Sequence, residues 1–135
     1  MKFAWHFFAL LMLATIPAPA LAAEPSPYEA CIEASGGVTL EMLNCNAAEM
    51  ERLDGELNRL YREAMRLLPP AIGQELREVQ RAWLTWRDRH CGFYAGLPLG
   101  TSASINGTGC FVEQTGIRVK ELADLVELAP ALGDH

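Results

Sequence analysis

Two opposite charges set into otherwise apolar helical stripes are the residues of this chain whose types and spacing could do chemistry. In the run Gln80 to Cys91, Q-R-A-W-L-T-W-R-D-R-H-C, residues Gln80, Trp83, Arg87 and Cys91 recur at helical spacing. A face that should be greasy therefore carries an amide, an indole, a guanidinium and a thiol. Upstream, Met50, Asp54, Leu57, Tyr61, Ala64 and Leu68 form a second stripe with one misplaced carboxylate, Asp54. As chemistry, Asp54 beside Arg87 would be an acid held by a guanidinium. A neighbouring arginine lowers a carboxyl pKa and makes it a poor proton donor. The pair reads better as a buried ion pair that sets the register of two helices, and loss of one partner would cost about 3 to 5 kcal/mol.

Other reaction chemistries find no support. The chain has no Gly-rich phosphate loop, no H-E-x-x-H and no G-x-S-x-G. His90 has no serine or free thiol placed to use it, and the carboxylates follow the spacing of a solvated helix face. No enzyme activity and no cofactor are expected. Trp83 reads as core. Trp86, about 300° further round the helix, either packs on another helix or stays partly exposed as a contact residue.

The four cysteines, Cys31, Cys45, Cys91 and Cys110, read as two disulfides of a small exported domain. No two are close enough for a zinc knuckle, and the side chains of His90 and Cys91 diverge by about 100° on a helix, so no metal is expected. Three pairings are open, and the residues alone do not choose among them. Cys31 with Cys45 and Cys91 with Cys110 is the favoured one. Each bond would close a short Gly-containing segment onto a helix end, for about 3 kcal/mol in the loop-entropy picture.

The elements that must position these groups follow from the N-terminus. Residues 1–22 have the charge, apolar run and small-residue cleavage site of a secretory signal, with cleavage after Ala22. The run before Pro17 is short for a span, and no cysteine stands at the cleavage site to take a lipid. Cleavage would leave 113 of the 135 residues and remove one lysine, moving the formal net charge from −6 to −7. That is one domain with a modest core, ill suited to nucleic acid or an anionic membrane and well suited to a basic protein.

Residues 23–30 read as a mobile arm, residues 31–128 as the helical domain, and 129–135 as a tail. Tyr28 to Ala34 can make a short helix, stopped by Ser35-Gly36-Gly37. Thr39 is the expected N-cap of a helix running to Leu68. Gly55 within it either lets another backbone come close or is a tolerated weak spot.

Pro69-Pro70 breaks the helix, and Pro70 opens the next one, which runs to about Cys91. If the two fold back on each other, residues whose numbers sum to about 141 lie level. Asp54 then meets Arg87, Leu57 and Asn58 meet Trp83, and Tyr61 meets Gln80.

From Gly92 to Gly109 the composition turns to Gly, Pro, Ser, Thr and Asn. This segment reads as a long loop tied at both ends, with Phe93, Tyr94, Leu97, Leu99, Ile105 and Asn106 as candidate partner-binding residues. Asn106-Gly107-Thr108 reads as a turn. A third helix is expected over Phe111 to Leu128, with Arg118 either joining the polar layer near Asp54 or lying on the surface.

Cys31, Thr39, Cys45, Asp54, Leu57-Asn58, Tyr61, Leu76, Gln80, Trp83, Arg87-Asp88, Cys91, Cys110, Thr115, Arg118 and Leu122 resemble, in order and approximate spacing, the pattern of the lysozyme inhibitor LprI-like domain family. The resemblance covers about Cys31 to Leu125, and L-N-x-x-Y followed by Q-x-x-W-x-x-x-R-D-x-x-C is its most specific part. It implies a small disulfide-bonded helical domain and inhibition of lysozyme. Lipid anchoring does not carry over, since the lipobox is missing. The motif coincides with the polar seam, so it speaks to shared fold first.

The expectation is thus an all-α exported domain, a long antiparallel helical hairpin with a third packed helix and two disulfides. It would be periplasmic or secreted, without membrane insertion after cleavage, and would inhibit a basic lysozyme. The segment Phe93 to Gly109 would enter the lysozyme cleft or, alternatively, cover the end of the core. The competing role is an envelope accessory domain that binds another partner without inhibiting lysozyme.

Overall fold

Local capping rules start and stop the first helices. Pro27 occupies the first turn of α1, Pro27–Ala34, and Ser26 and Glu29 form a reciprocal cap. The Ser26 N–H donates to Glu29 Oε2 at 2.7 Å, and the Glu29 N–H donates to Ser26 Oγ at 3.2 Å. The helix ends at Ser35, and Gly36 and Gly37 take positive φ angles of 56° and 80° to turn the chain back. In the computed structural model, which describes residues 24–132, α2 spans Thr39–Leu67, α3 Pro70–Ala95 and α4 Thr101–Leu132. The expected signal segment and residues 133–135 lie outside the described residues.

The all-α architecture, the reversal at Pro69-Pro70 and both disulfides, Cys31–Cys45 and Cys91–Cys110, are present. Leu68 is extended, with ψ 147°, as a residue before proline must be. Several boundaries differ from expectation. The supposed arm already carries α1 from Pro27. Val38, not Thr39, takes the extended N-cap position of α2 and offers no side-chain cap. At the other end α4 continues through Pro130 to Leu132, and Ala129 is fully buried where a tail was expected.

The largest difference is the segment read as a loop. Helix α3 runs on past Cys91 to Ala95, only residues 96–100 link it to α4, and α4 begins ten residues before Phe111. Ser, Gly, Ala and Thr are here the small side chains of a close helix crossing. A Cβ on Gly107 would stand 2.6 Å from the Ala95 Cβ and 3.0 Å from its Cα. Ala103 is buried in the same region, and the Asn46 amide donates to the Thr108 hydroxyl at 2.7 Å. Poor intrinsic helix propensity has been overridden by packing.

Helix α4 lies along α2 and also receives α3, whereas α2 and α3 touch each other little. Their contact includes the region near the turn, where Met65 Cε lies 3.5 Å from the space a Gly73 Cβ would fill. The core joins Leu57, Leu60, Ala64 and Leu68 of the α2 side to Leu76 of α3 and Leu122 and Ala129 of α4. On α2 the buried stripe is Asn46, Leu53, Leu57, Leu60 and Ala64. Leu53 thus holds the core position assigned to Asp54.

Two tests bear on this packing. Gly107→Val should lower the stability of the oxidised protein by about 2 kcal/mol in urea unfolding, because the new methyls meet backbone that cannot yield. A Cβ added at Gly55 would meet nothing within 4 Å, so Gly55→Ala should raise stability in the same measurement by up to about 1 kcal/mol.

Candidate functional site

The polar groups predicted to join α2 to α3 mainly join α3 to α4. Arg118 Nε donates to Gln80 Oε1 at 2.9 Å, and Arg118 Nη1 donates to Glu121 at 2.8 Å. Arg87 Nη1 donates to the fully buried Thr115 hydroxyl at 3.3 Å, and its Nη2 donates to Asp88 at 3.0 Å. Both guanidinium groups pack on the Trp83 ring, at 5.1 Å for Arg87 and 5.8 Å for Arg118, and Arg87 also lies over Phe111 at 5.3 Å. These π faces compensate part of the desolvation of two nearly buried cations. Among the described residues, Arg118 Nη2 is buried without a hydrogen-bond partner.

Asp54 does not make the buried ion pair expected of it. Its carboxylate lies 3.9 Å from Arg87 Nη1, but the Asp54 side chain is 53% exposed while that of Arg87 is 13% exposed. Leu53 takes the inward position and turns its neighbour to the edge. Asp54, Asn58 and Tyr61 instead line one side of an open groove of about 490 Å³, with Arg77, Gln80 and Arg87 opposite. Of the residues expected to pair level across α2 and α3, Gln80 bonds Arg118 and Trp83 lies under Arg87 and Arg118, whereas Asp54 comes within 3.9 Å of Arg87. So long and exposed a pair contributes at most about 1 kcal/mol.

A second region lies where α3 turns into α4. Phe93 and Tyr94 stand on the last turn of α3, Leu97 and Leu99 in the link, and Ile105 and Asn106 on α4. They do not form one loop. Phe93 and Leu99 are 64% and 50% exposed, and Leu97 is half-buried. Tyr94, Ile105 and Asn106 face a cavity of about 540 Å³ that Tyr28 of α1 and Asn46 of α2 also line. There the Tyr28 hydroxyl donates to Asn46 Oδ1 at 2.7 Å, and Asn46 passes the chain on to Thr108, tying α1, α2 and α4 together. Burial, and secondarily the charge of Glu49, raises the Tyr28 pKa above its ordinary value.

Residue types alone did not single out Tyr28 or Asn46. The signal available for Asn46 was its place on the α2 stripe, seven residues before Leu53. Trp86, His90 and Tyr94 carried a clearer one, their spacing of four and four along α3. Of the two alternatives read for Trp86, packing or partial exposure, the structure leaves it partly exposed. Among the described residues no group of three or more His, Cys, Asp or Glu could hold a metal ion, and no helix is long and apolar enough to cross a membrane.

No solved structure matches this chain. An uncharacterised protein of Rhizobium meliloti (strain 1021) is 32% identical over 137 aligned residues, covering 90% of this chain and 94% of its own. The family model described as lysozyme inhibitor LprI matches residues 31–122, which include all four cysteines, both walls of the groove and the α3–α4 corner. The chain belongs to the lysozyme inhibitor LprI family.

Proposed function

We propose that this protein is exported from a bacterial cell and acts by binding and inhibiting a basic lysozyme in the periplasm or outside the cell, not by catalysis. Membership of the inhibitor family carries this reading. Two features support it. The chain has a formal net charge of −6, which would speed its encounter with a basic enzyme and make that encounter salt-dependent. Two disulfides suit an oxidising compartment.

The contact surface in this proposal is the α3–α4 corner. Phe93 projects there from the last turn of α3 and Leu99 from the link, and the two helices are pinned by Cys91–Cys110. A corner already held in place loses little conformational freedom on binding, so its apolar side chains can act as anchors in the substrate cleft. Its compact helical form replaces the long loop, tied at both ends, that composition had suggested.

The oxidised protein without residues 1–22 should inhibit lysozyme turnover of labelled cell wall in a dose-dependent way, and less as salt rises. The double substitution Phe93→Ala, Leu99→Ala should raise the half-inhibiting concentration by about tenfold or more with little change in urea stability. An unchanged value would move the contact surface elsewhere. Absence of inhibition by natively folded protein at micromolar concentration would overturn the inhibitor reading and leave an envelope accessory domain with another partner.

A further inference from the structure

The outward face of α3 carries a line of rings, Trp86, His90 and Tyr94, of which only Tyr94 also meets the corner, edge-on to Phe93 at 5.5 Å. Trp86 lies flat on His90, with ring centroids 4.7 Å apart and planes within 13°. His90 in turn meets Tyr94 edge-on at 5.2 Å. The Trp86 side chain remains about half exposed, and a shallow depression surrounds it. His90 lines both that depression and the 540 Å³ cavity, so the two lie side by side along α3. Past His90 and Tyr94 the cavity wall presents Asn106, Glu113 and Gln114. The hydrogen bonds crossing that wall, Tyr28 to Asn46 and Asn46 to Thr108, leave the His90, Asn106, Glu113 and Gln114 side chains without protein partners among the described residues.

We propose that the depression and the cavity together form a trough that binds a neutral oligosaccharide laid along α3 from Trp86 across His90 into the cavity. A pyranose ring offers C–H faces to stack on aromatic rings and hydroxyls at its rim to hydrogen-bond. The trough offers the complement: aromatic surface in line with α3, and one carboxylate, two amides and an imidazole at the cavity end. An apolar ligand would strip water from Glu113 and the amides without replacing their hydrogen bonds, which disfavours it. A polyanion would meet the Glu113 carboxylate and a chain of net charge −6. The cavity volume falls within the ordinary range for small-ligand sites. The site uses residues other than Phe93 and Leu99, so it stands or falls separately from lysozyme inhibition.

Isotope-labelled oxidised protein, with no lysozyme present, can be titrated with tri-N-acetylchitotriose and separately with cellotriose and followed by amide and indole NMR. Saturable shifts are expected at the Trp86 indole N–H and at His90, Asn106 and Glu113. A response to both sugars would assign general pyranose stacking, and a response to the first alone would assign an acetamido sugar. Trp86→Ala and, independently, Glu113→Ala should each weaken binding by about tenfold; both sites are exposed, and retained spectral dispersion reports the fold. No saturable shift with either sugar up to about 10 mM, or binding unchanged in both variants, overturns the proposal.

Discussion

The close crossing of α3 and α4, where Gly107 sits against Ala95, is the constraint on which the rest of the structure depends. Only a residue without a Cβ lets the two backbones come this near, and Cys91–Cys110 holds them there. With that crossing made, α4 must run back along the molecule in contact with both α2 and α3. It delivers Leu122 and Ala129 to the core, Thr115 to the Arg87 guanidinium and Arg118 to the Trp83 ring. The same geometry keeps α2 and α3 apart and leaves the groove between them.

The Trp83 cluster shows how two cations are accommodated in a small core. An unpartnered buried charge would cost several kcal/mol. Arg87 and Arg118 avoid this by combining hydrogen bonds to Thr115, Gln80, Asp88 and Glu121 with contacts to aromatic faces. The acidic partners sit at the exposed end of each guanidinium, where water shares the charge. By contrast, the ion pairs on the outer side of α2, Arg52 with Glu49 and Arg59 with Glu56 and Glu63, are exposed helix-surface pairs. Screened by water, they support the helix and do no more.

At the disulfide end, four helices meet around one cavity. Cys31–Cys45 and the Tyr28–Asn46–Thr108 chain hold α1 against the body, so a helix of eight residues, too short to persist alone, becomes one wall of that cavity. The aromatic residues at the end of α3 then divide between two surfaces. Phe93 points to the corner, while Trp86, His90 and Tyr94 line the approach to the cavity. The two faces meet where Tyr94 packs edge-on against Phe93.

By itself, the order of residues determined the helices from Thr39 to Cys91 and their break at Pro69-Pro70; it favoured one of three disulfide pairings, and the structure chose it. Apolar periodicity and proline act locally, and short cysteine loops close easily. It also marked the polar side chains that matter, because an amide or a guanidinium on an apolar stripe is conspicuous wherever its partner lies. Only the tertiary structure decided the partners: Arg87 turned to Thr115 and two rings, and Gln80 to Arg118, because α4 filled the place that a simple hairpin would have given to α2. Likewise, Thr101 to Cys110 is a helix and not a loop. Small residues weaken an isolated helix, yet they are what lets a second backbone approach, and that gain exists only once the neighbour is present.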